Sequence, residues 1–211
     1  WPRDWRVKPG KPRPGAPLSE TVVRIIAGRL KGRRLAAVRG AIRPTADRVR
    51  EAIFNILGPM VLEAQVLDLF AGTGALGIEA LSRGARRAVF VENHASSLQV
   101  LRRNLAQCGL TDVSQVLPQD AARALTGLAA QGERFGLIFL DPPYGRGLPG
   151  QILPLVARNH LLAPEGLVVV EHRRGEELAD TYQHLARRQE RRYGDTVISL
   201  YEHGPGTSGQ S

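Results

Sequence analysis

The amino-acid sequence predicts an α/β protein built on a mostly parallel β-sheet with helices on its faces. Apolar runs suited to buried strands recur at 65–70, 88–92 and 137–140, with helical segments between them. Strands that alternate with helices form parallel sheets with right-handed crossovers. A glycine-rich turn follows the first run, as in nucleotide-binding units. Two strand-like runs within 191–201 flank a Gly-Asp turn, which predicts a final antiparallel pair.

Length and composition favour one domain with tails at both ends. The chain has 211 residues, and 43% of them are hydrophobic, enough for a core. No apolar run approaches the roughly 20 residues of a membrane span, and no secretory signal is visible. Cys108 is the only cysteine, so an intrachain disulfide is excluded and a cytoplasmic location is expected. The five histidines lack metal-ligand spacing, so no metal site is predicted.

Basic residues are concentrated in the first quarter of the chain. Of a net charge of +9, residues 1–50 contribute +11, from 14 Lys/Arg against 3 Asp/Glu. Such asymmetry favours a polyanionic partner, although a solubilising tail would give the same count. Residues 1–20, rich in proline and basic side chains, are predicted to be a disordered tail, as are residues 204–211.

The basic segment continues into a predicted β-hairpin over residues 21–40. Its strands are expected at 21–26 and 33–38, with glycines in the turn. Five basic side chains on this hairpin are candidates for RNA contact: Arg24, Arg29, Lys31, Arg33 and Arg34. A helix is predicted over 44–57, with Thr45 as its N-cap and Gly58-Pro59 at its end.

The turn after the first buried strand carries Gly72, Gly74 and Gly77, which satisfy the pattern G-x-G-x-x-G between a strand and a helix. Glycines allow a ligand to approach the backbone, and the helix N-terminus offers N–H donors. Glu92 ends the next strand 20 residues after Gly72, the spacing of an acid that binds ribose hydroxyls. The alternative is that the glycines serve helix–strand packing alone.

The later elements follow in alternation. Helices are predicted at 95–108, 121–130, 149–159 and 176–185, and strands at 113–117 and 167–171. Asp120 also lies at the carboxyl edge of the sheet. It is either an acceptor for an adenine amine or the N-cap of the helix that follows.

The stretch Asp141-Pro-Pro-Tyr144 ends the strand over 137–140 with a rigid corner. The Asp141 carboxylate and the Pro142 carbonyl are two fixed acceptors, which suit the two donors of a planar amino group. Tyr144 offers a ring face on which a base can stack. The alternative is a turn that merely ends the strand.

Together, Asp68-Leu-Phe-Ala-Gly-Thr-Gly74, Glu92 and Asp141-Pro-Pro-Tyr144 resemble class I S-adenosylmethionine-dependent methyltransferases that act on amino groups. The segments Arg24-Ile-Ile-Ala-Gly28, Lys31-Gly-Arg-Arg-Leu35 and 43–57 are similar to the bacterial 16S rRNA guanine-N2 methyltransferases of RsmD type. The resemblance spans about 22–203. It implies a Rossmann-like sheet of seven strands and a target guanine, position 966, in the small ribosomal subunit. We expect a monomer that acts on 16S rRNA within the 30S subunit or an assembly intermediate.

The resemblance also implies roles for individual residues. The predicted cofactor-binding residues are Asp68, Phe70, Gly72, Thr73, Gly74, Glu92, Asp120, Thr45, Arg48 and Asn55. Asp68 would order the loop or meet the methionine amino group, and Glu92 would hold the ribose. Thr45, Arg48 and Asn55 would close over the methionine carboxylate or over the target base. Asp141, Pro142 and Tyr144 are the predicted catalytic residues, holding a flipped guanine.

Other activities stay open on the sequence alone. A methyltransferase for adenine N6 or for a protein amide would use the same corner. An NAD-dependent oxidoreductase would use the glycines and Glu92 but leaves the corner without a role. A non-catalytic RNA-binding module would account for the charge only.

Overall fold

The computed structural model describes residues 23–37 and 46–205. The predicted tail over 1–20 and the predicted N-cap at Thr45 lie outside these residues, as do residues 206–211. Gly204 was expected in the C-terminal tail, but its N–H donates to the His184 carbonyl oxygen at 2.8 Å. It therefore continues the ordered end of the last strand.

The described residues form a two-stranded hairpin and one large sheet. The hairpin pairs β1 (Val23–Arg24) with β2 (Arg34–Leu35), antiparallel. The large sheet has the order β5-β4-β3-β6-β7-β10-β9-β8. Its strands are β3 (Gln65–Leu69), β4 (Arg87–Glu92), β5 (Ser114–Pro118), β6 (Phe135–Leu140), β7 (Leu162–Arg173), β8 (Thr181–Tyr182), β9 (Leu185–Tyr193) and β10 (Thr196–His203). Strands β3 to β7 are mutually parallel, and β10, β9 and β8 are antiparallel.

The α/β prediction is confirmed, with eight strands in the described sheet where seven were expected. The extra strand is the two-residue β8, which pairs Thr181 with Ala186. It replaces the helix predicted over 176–185, which was wrong. The Tyr182 ring packs on Tyr201 at 5.7 Å, and Gln183 turns the chain with a φ of 54°. These contacts to distant strands outweigh the weak helical pattern of the segment.

Five α-helices of the described chain cover the sheet on both faces. They are α1 (Ala46–Leu57), α2 (Ala75–Ser82), α3 (Ala95–Cys108), α4 (Ala121–Ala130) and α5 (Leu148–Arg158). The first three pack with the hairpin on one face, and α4 and α5 form the core of the other. Because β3, β4 and β6 are buried on both faces, their sequences are continuously apolar. Among these helices, none has the length and apolar content that a membrane-spanning helix requires.

The hairpin is fixed to the sheet domain by buried polar groups of α2. The Glu79 carboxylate accepts the N–H groups of Ile26 at 2.7 Å and Ala27 at 3.0 Å. Ser82 Oγ accepts from the Leu30 N–H at 3.0 Å. A Cβ on Gly28 would lie 1.9 Å from the Ser82 carbonyl oxygen, so this turn approaches α2 as closely as only glycine allows. The hairpin is therefore an integral part of the domain.

Candidate active site at the carboxyl edge of the sheet

The ends of β3, β4 and β6 lie level with one another. Leu69 pairs with Val91 of β4 and with Leu140 of β6. The residues that follow these three positions are Phe70, Glu92 and Asp141, so the parallel register brings them to one edge. This is the edge at which open α/β sheets bind ligands.

The three glycines of the turn after β3 serve different purposes. A Cβ on Gly74 would lie 2.5 Å from Leu101 Cδ1, and one on Gly77 would lie 2.3 Å from the Phe90 ring. These two positions are required by packing. Gly72 has a φ of +55°, but a Cβ there would find no atom closer than the Phe70 carbonyl oxygen at 3.9 Å. Gly72 is therefore the glycine that borders open space, where a ligand can approach the backbone.

Glu92 is held rigidly beside Gly72. Its Oε2 accepts the Gly72 N–H at 2.8 Å, and its Oε1 accepts the N–H groups of Asn93 and His94, each at 2.8 Å. The residue is only 7% exposed. A carboxylate has about four lone-pair directions, so these three bonds fix its orientation and leave acceptor capacity for a hydroxyl.

Asp68 lies one layer beneath the turn. It is 1% exposed, and its Oδ2 accepts the Gly77 N–H at 2.9 Å. Burial raises the pKa of this carboxyl to about 7; the Gly77 hydrogen bond opposes the shift, and the nearby Glu92 adds to it. Of the two roles expected for Asp68, the structure places it where it orders the start of α2.

Three further predicted cofactor residues follow strand ends at the same edge of the sheet. Phe70 is half-buried and has a φ of 60°, a strained value for a residue with a side chain. The Thr73 carbonyl oxygen accepts from Asn104 Nδ2 at 2.9 Å. Asp120 is exposed and caps α4, because its Oδ1 accepts the Arg123 N–H at 2.9 Å. The N-cap interpretation of Asp120 is confirmed, and the cap leaves its other oxygen at the edge of the sheet.

The Asp-Pro-Pro-Tyr corner follows β6 directly. Asp141 is half-buried, Pro142 is buried, and Tyr144 is half-buried. The Tyr144 hydroxyl donates to Glu171 Oε1 at 2.8 Å and lies 3.1 Å from Thr196 Oγ1. These contacts fix the position of the tyrosine ring at the edge of the sheet.

Glu171 and Thr196 were not among the predicted site residues. The strand predicted over 167–171 ends at an acid, and that position at the carboxyl edge was the available signal for Glu171. Thr196 carried no signal. It meets Tyr144 only because β10 pairs with β7 in a register that places Thr196 opposite Arg173.

The two predicted residues of α1 lie towards opposite ends of that helix. Arg48 is exposed on the first turn of α1. Asn55 lies at the other end of the helix and lines a cavity together with Arg191 and Tyr193. No residue of the glycine turn or of the corner lines that cavity.

All five basic residues predicted to contact RNA are exposed on the hairpin and its turn. Asn104, on α3, joins the hairpin to the glycine turn. Its Oδ1 accepts the Ala36 N–H at 2.8 Å, while its Nδ2 donates to the carbonyl oxygens of Ala36 at 3.0 Å and Thr73 at 2.9 Å. The basic surface is therefore held in a fixed position relative to the turn.

The chain is similar to known proteins over most of its length. Residues 23–202 match the family model described as Conserved hypothetical protein 95. The chain is 42% identical to YlbH of Bacillus subtilis (strain 168), which has the provisional description of an rRNA methyltransferase; the match covers 85% of this chain and 98% of YlbH. It is 38% identical to the ribosomal RNA small subunit methyltransferase D of Escherichia coli (strain K12), over 85% of this chain and 89% of that protein.

The chain is also similar to a methyltransferase whose structure was solved with bound ligands. That enzyme is the Thermus thermophilus 16S rRNA N2 G1207 methyltransferase RsmC in complex with AdoMet and guanosine. The TM-score is 0.64 and the identity 25%, over 87% of this chain and 50% of that one. With a family model that spans nearly all of the described residues, the chain belongs to the RsmD family of small-subunit rRNA methyltransferases, the family described as Conserved hypothetical protein 95.

Proposed function

We propose that this chain methylates the exocyclic N2 amine of a guanine in 16S rRNA, with the guanine flipped onto the Asp141–Tyr144 corner. As a member of its family, the chain is an rRNA methyltransferase that uses S-adenosylmethionine. The choice of guanine N2, and of position 966, is the finer part of the proposal. The observation that carries it is the corner itself, level with Glu92 and Gly72 at the edge of the sheet.

The residues at the carboxyl edge of the sheet suit the parts of S-adenosylmethionine. Gly72 borders open space, and the fixed Glu92 carboxylate beside it has acceptor capacity left for a ribose hydroxyl. The exposed Asp120, which follows the end of β5, is an acceptor for an adenine amine. Phe70, Thr73 and Gly74 would border the methionine part. S-adenosylmethionine supplies a methyl group on a positively charged sulfur, which keeps the electron pair of the bond that breaks.

The corner would prepare the amine that receives this methyl group. The lone pair of an exocyclic amine is conjugated with its ring and is therefore a poor nucleophile. Hydrogen bonds from both N–H groups, one to the Asp141 carboxylate and one to the Pro142 carbonyl, favour a pyramidal nitrogen whose lone pair is available. After this lone pair has bonded to the methyl carbon, the nitrogen would release one of its two protons to the Asp141 carboxylate. Most of the rate would then come from orientation and from fixed charges.

Tyr144 would hold the plane of the base. Because its hydroxyl is anchored by Glu171 and Thr196, the ring offers a stacking face that costs little side-chain freedom when the base binds. A guanine amine within a helix or a stacked loop is out of reach of such a corner, so the base must leave its stack. The exposed cations of the hairpin would contribute by binding phosphates on either side of the flipped nucleotide.

The test is the substitution Asp141→Ala. We expect methyl transfer to rRNA to fall by at least a hundred-fold, because one of the two acceptors for the amine is lost. The affinity for S-adenosylmethionine, measured by calorimetry, should stay within a few-fold. Transfer of a labelled methyl group to unmethylated 16S rRNA and to 30S particles measures the activity, and mass spectrometry of the RNA identifies the base and position.

Asp112→Ala is the matched control, because Asp112 is an exposed acid near the amino ends of the strands. This control should retain full activity. An Asp141→Ala variant with full activity would remove the corner from the mechanism. A product methylated at adenine would retain the corner and overturn the assignment of guanine.

A further inference from the structure

A second site suited to a nucleotide lies between α1 and β9. It is a cavity of about 480 Å³. Its polar lining consists of Asn55, Arg188, Gln189, Arg191 and Tyr193, and apolar side chains of α1, β7 and β10, together with Met60 just after α1, complete it. The two guanidinium groups suit a phosphate, and the two amides suit the edge of a base. The phenol ring suits the face of a base.

An irregularity in β9 builds the cavity. The pairing of β10 with β9 shifts register between Leu200, which faces Gln189, and Tyr201, which faces Arg187. Arg188 is thus the extra residue of a β-bulge. Regular alternation would place Arg188 and Gln189 on opposite faces, yet both line the cavity. Bulges are frequent beside functional sites because they redirect a side chain in this way.

The charge of the cavity suits an anion. Arg191 is exposed. With the Gln189 amide turned so that its oxygen faces Arg191, that oxygen would accept from Nη2 at 2.8 Å and from Nε at 2.6 Å. Arg188 pairs with Glu202 at 3.1 Å, and the two side chains are 53% and 41% exposed. Exposed ion pairs are weak, so a phosphate can take the place of this one. No acidic residue of the described chain lines the cavity itself.

The cavity adjoins the corner that would hold the target base. Tyr193 lies directly opposite Thr196 across the β9–β10 pair, and Thr196 Oγ1 is 3.1 Å from the Tyr144 hydroxyl. Side chains opposite each other on neighbouring strands share a face of the sheet. Likewise, Arg191 lies opposite Ile198, which lies opposite Glu171, the acceptor of the Tyr144 hydroxyl. Two strand spacings, roughly 10 Å, therefore separate the two sites.

We propose that this cavity binds a nucleotide of the same rRNA strand, close in sequence to the flipped guanine. Arg191 and Arg188 bind its phosphate, Tyr193 stacks on its base, and Asn55 and Gln189 meet the base edge. The inference rests on the proposed function, because it takes the RNA strand to pass the corner. It also gives Asn55 a role in binding RNA in place of the role at the cofactor.

The test compares two neighbouring arginines of one strand. Arg191→Gln removes a cation from the cavity, whereas Arg192→Gln removes one from the opposite face of β9, where Arg192 pairs with Glu190. Filter binding of full-length protein to unmethylated 16S rRNA is measured at several salt concentrations. We expect Arg191→Gln to weaken binding about three- to ten-fold and to reduce the salt slope by roughly 1, and Arg192→Gln to change neither.

Tyr193 tests the stacking contact in the same assay. Tyr193→Leu should weaken rRNA binding by roughly five-fold or more, and Tyr193→Phe, which keeps the ring, should not. Each variant must also melt as the parent protein does and bind S-adenosylmethionine unchanged. In steady-state methyl transfer, Arg191→Gln should raise the KM for rRNA and leave kcat within about two-fold.

Each outcome separates this inference from the proposed function. Equal binding by Arg191→Gln and Arg192→Gln overturns the inference, even if Asp141→Ala is inactive. Weaker binding by Arg191→Gln together with a fully active Asp141→Ala keeps the cavity as an RNA site and overturns the function proposed for the corner. Weaker binding to 30S particles with unchanged binding to naked 16S rRNA also overturns the inference, because a ribosomal protein would then occupy the cavity.

Discussion

At the scale of single residues, the role of each carboxylate in the candidate site depends on how deeply that carboxylate is buried. Glu92 and Asp68 both accept backbone N–H groups, but Glu92 lies at the edge with acceptor capacity left, whereas Asp68 is enclosed beneath α2. Burying a carboxylate without a cation disfavours its charged form. The contribution of Asp68 to the stability of the fold therefore depends on pH.

Asp68→Asn should change how stability depends on pH. Because the folded pKa of about 7 lies above the ordinary value of 3.8, Asp68 binds a proton more tightly in the folded state. Its contribution is fully present below about pH 4 and is lost as the pH rises through 7. Asparagine keeps an acceptor for the Gly77 N–H and does not ionise. The free energy of unfolding of the variant, relative to the parent, should therefore rise by roughly 1–3 kcal/mol between pH 5 and pH 8.

Urea unfolding at the two pH values measures this difference. Asp112→Asn, at an exposed position, is the control, and its free energy of unfolding should equal that of the parent at pH 5 and at pH 8. If Asp68→Asn differs from the parent by the same free energy at pH 5 and pH 8, Asp68 does not titrate in this range.

Some of these residues were predictable and others were not. Glu92 and Asp141 could be placed because each directly follows an apolar strand, and parallel strands bring such positions to one edge. The distinction between Gly72 and its two neighbours was hidden, because it depends on Leu101 and Phe90. The partners of Tyr144 were hidden too, since Thr196 lies 52 residues later and reaches it through an antiparallel strand.

At the scale of elements, the hairpin is anchored through its backbone while its basic side chains stay exposed. The bonds to Glu79, Ser82 and Asn104 all use N–H or carbonyl groups of the hairpin. Among its basic side chains, Arg33 donates to the Gln107 carbonyl oxygen at 2.7 Å and remains exposed. The charge of this element can therefore be changed with little effect on its fold, which makes its role in RNA binding testable.

Reversing the charges of Arg29, Lys31, Arg33 and Arg34 to glutamate should weaken binding to 16S rRNA and flatten its salt dependence. Losing four phosphate contacts lowers the slope by roughly 3–4. Filter binding over a salt series measures the slope, and calorimetry should show unchanged affinity for S-adenosylmethionine. The control reverses four exposed arginines away from the hairpin: Arg86, Arg123, Arg134 and Arg158. A slope equal to that of the control would place the RNA on another surface.

Three strand ends are joined by stacked histidines. The rings of His160 and His203 lie 4.9 Å and 5.1 Å from the ring of His184, nearly parallel to it. These residues precede β7, end β10 and precede β9, respectively. The pKa of His184 is lowered by burial and then by the charges of His203 and His160. The stack therefore disfavours protonation of its central ring.

His184→Phe should make the protein less sensitive to mild acid. A lowered folded pKa means that the stability contributed by neutral His184 is present above about pH 6.5 and is lost as the pH falls below it. Phenylalanine keeps a flat ring and cannot be protonated. Between pH 7.5 and 5.5, the urea midpoint of the parent should fall relative to that of the variant, a comparison from which the effect of Asp68 cancels. His94→Gln, at an exposed position, is the control, and its urea midpoint should change with pH as that of the parent does. If the midpoint of His184→Phe also falls in parallel with that of the parent, the prediction is contradicted.

At the scale of the whole molecule, the hairpin, α1 and the sheet share one hydrophobic core. Val23 and Leu35 of the hairpin belong to the same cluster as Ile53 of α1, Phe139 of β6 and Leu200 of β10. The α/β class was predictable, because buried parallel strands have an apolar pattern that local sequence reveals. The docking of the hairpin onto the sheet domain could not be predicted, because it depends on a buried acid whose partners lie about fifty residues earlier.

That acid, Glu79, provides the test of whether the molecule is one cooperative unit. It accepts the N–H groups of Ile26 and Ala27 and pairs with Arg83 at 2.7 Å, and its side chain is 1% exposed. Glu79→Ala would leave these donors unpaired in the interior, so the free energy of unfolding should fall by about 3–5 kcal/mol, and by less for Glu79→Gln, which keeps an acceptor.

Calorimetry and urea unfolding, followed with probes in both parts, measure the effect of Glu79→Ala. Because the hairpin contributes to the common core, we expect one transition that moves as a whole, together with faster hydrogen exchange at the Leu30 amide, which bonds to Ser82. Glu51→Ala removes an exposed acid of α1 and should stay within about 0.5 kcal/mol of the parent. Two separate transitions, with the sheet melting as in the parent, would mean that the hairpin folds on its own. The basic surface would then be a tethered arm with no fixed position relative to the glycine turn, and its effect on rRNA binding would not depend on Glu79.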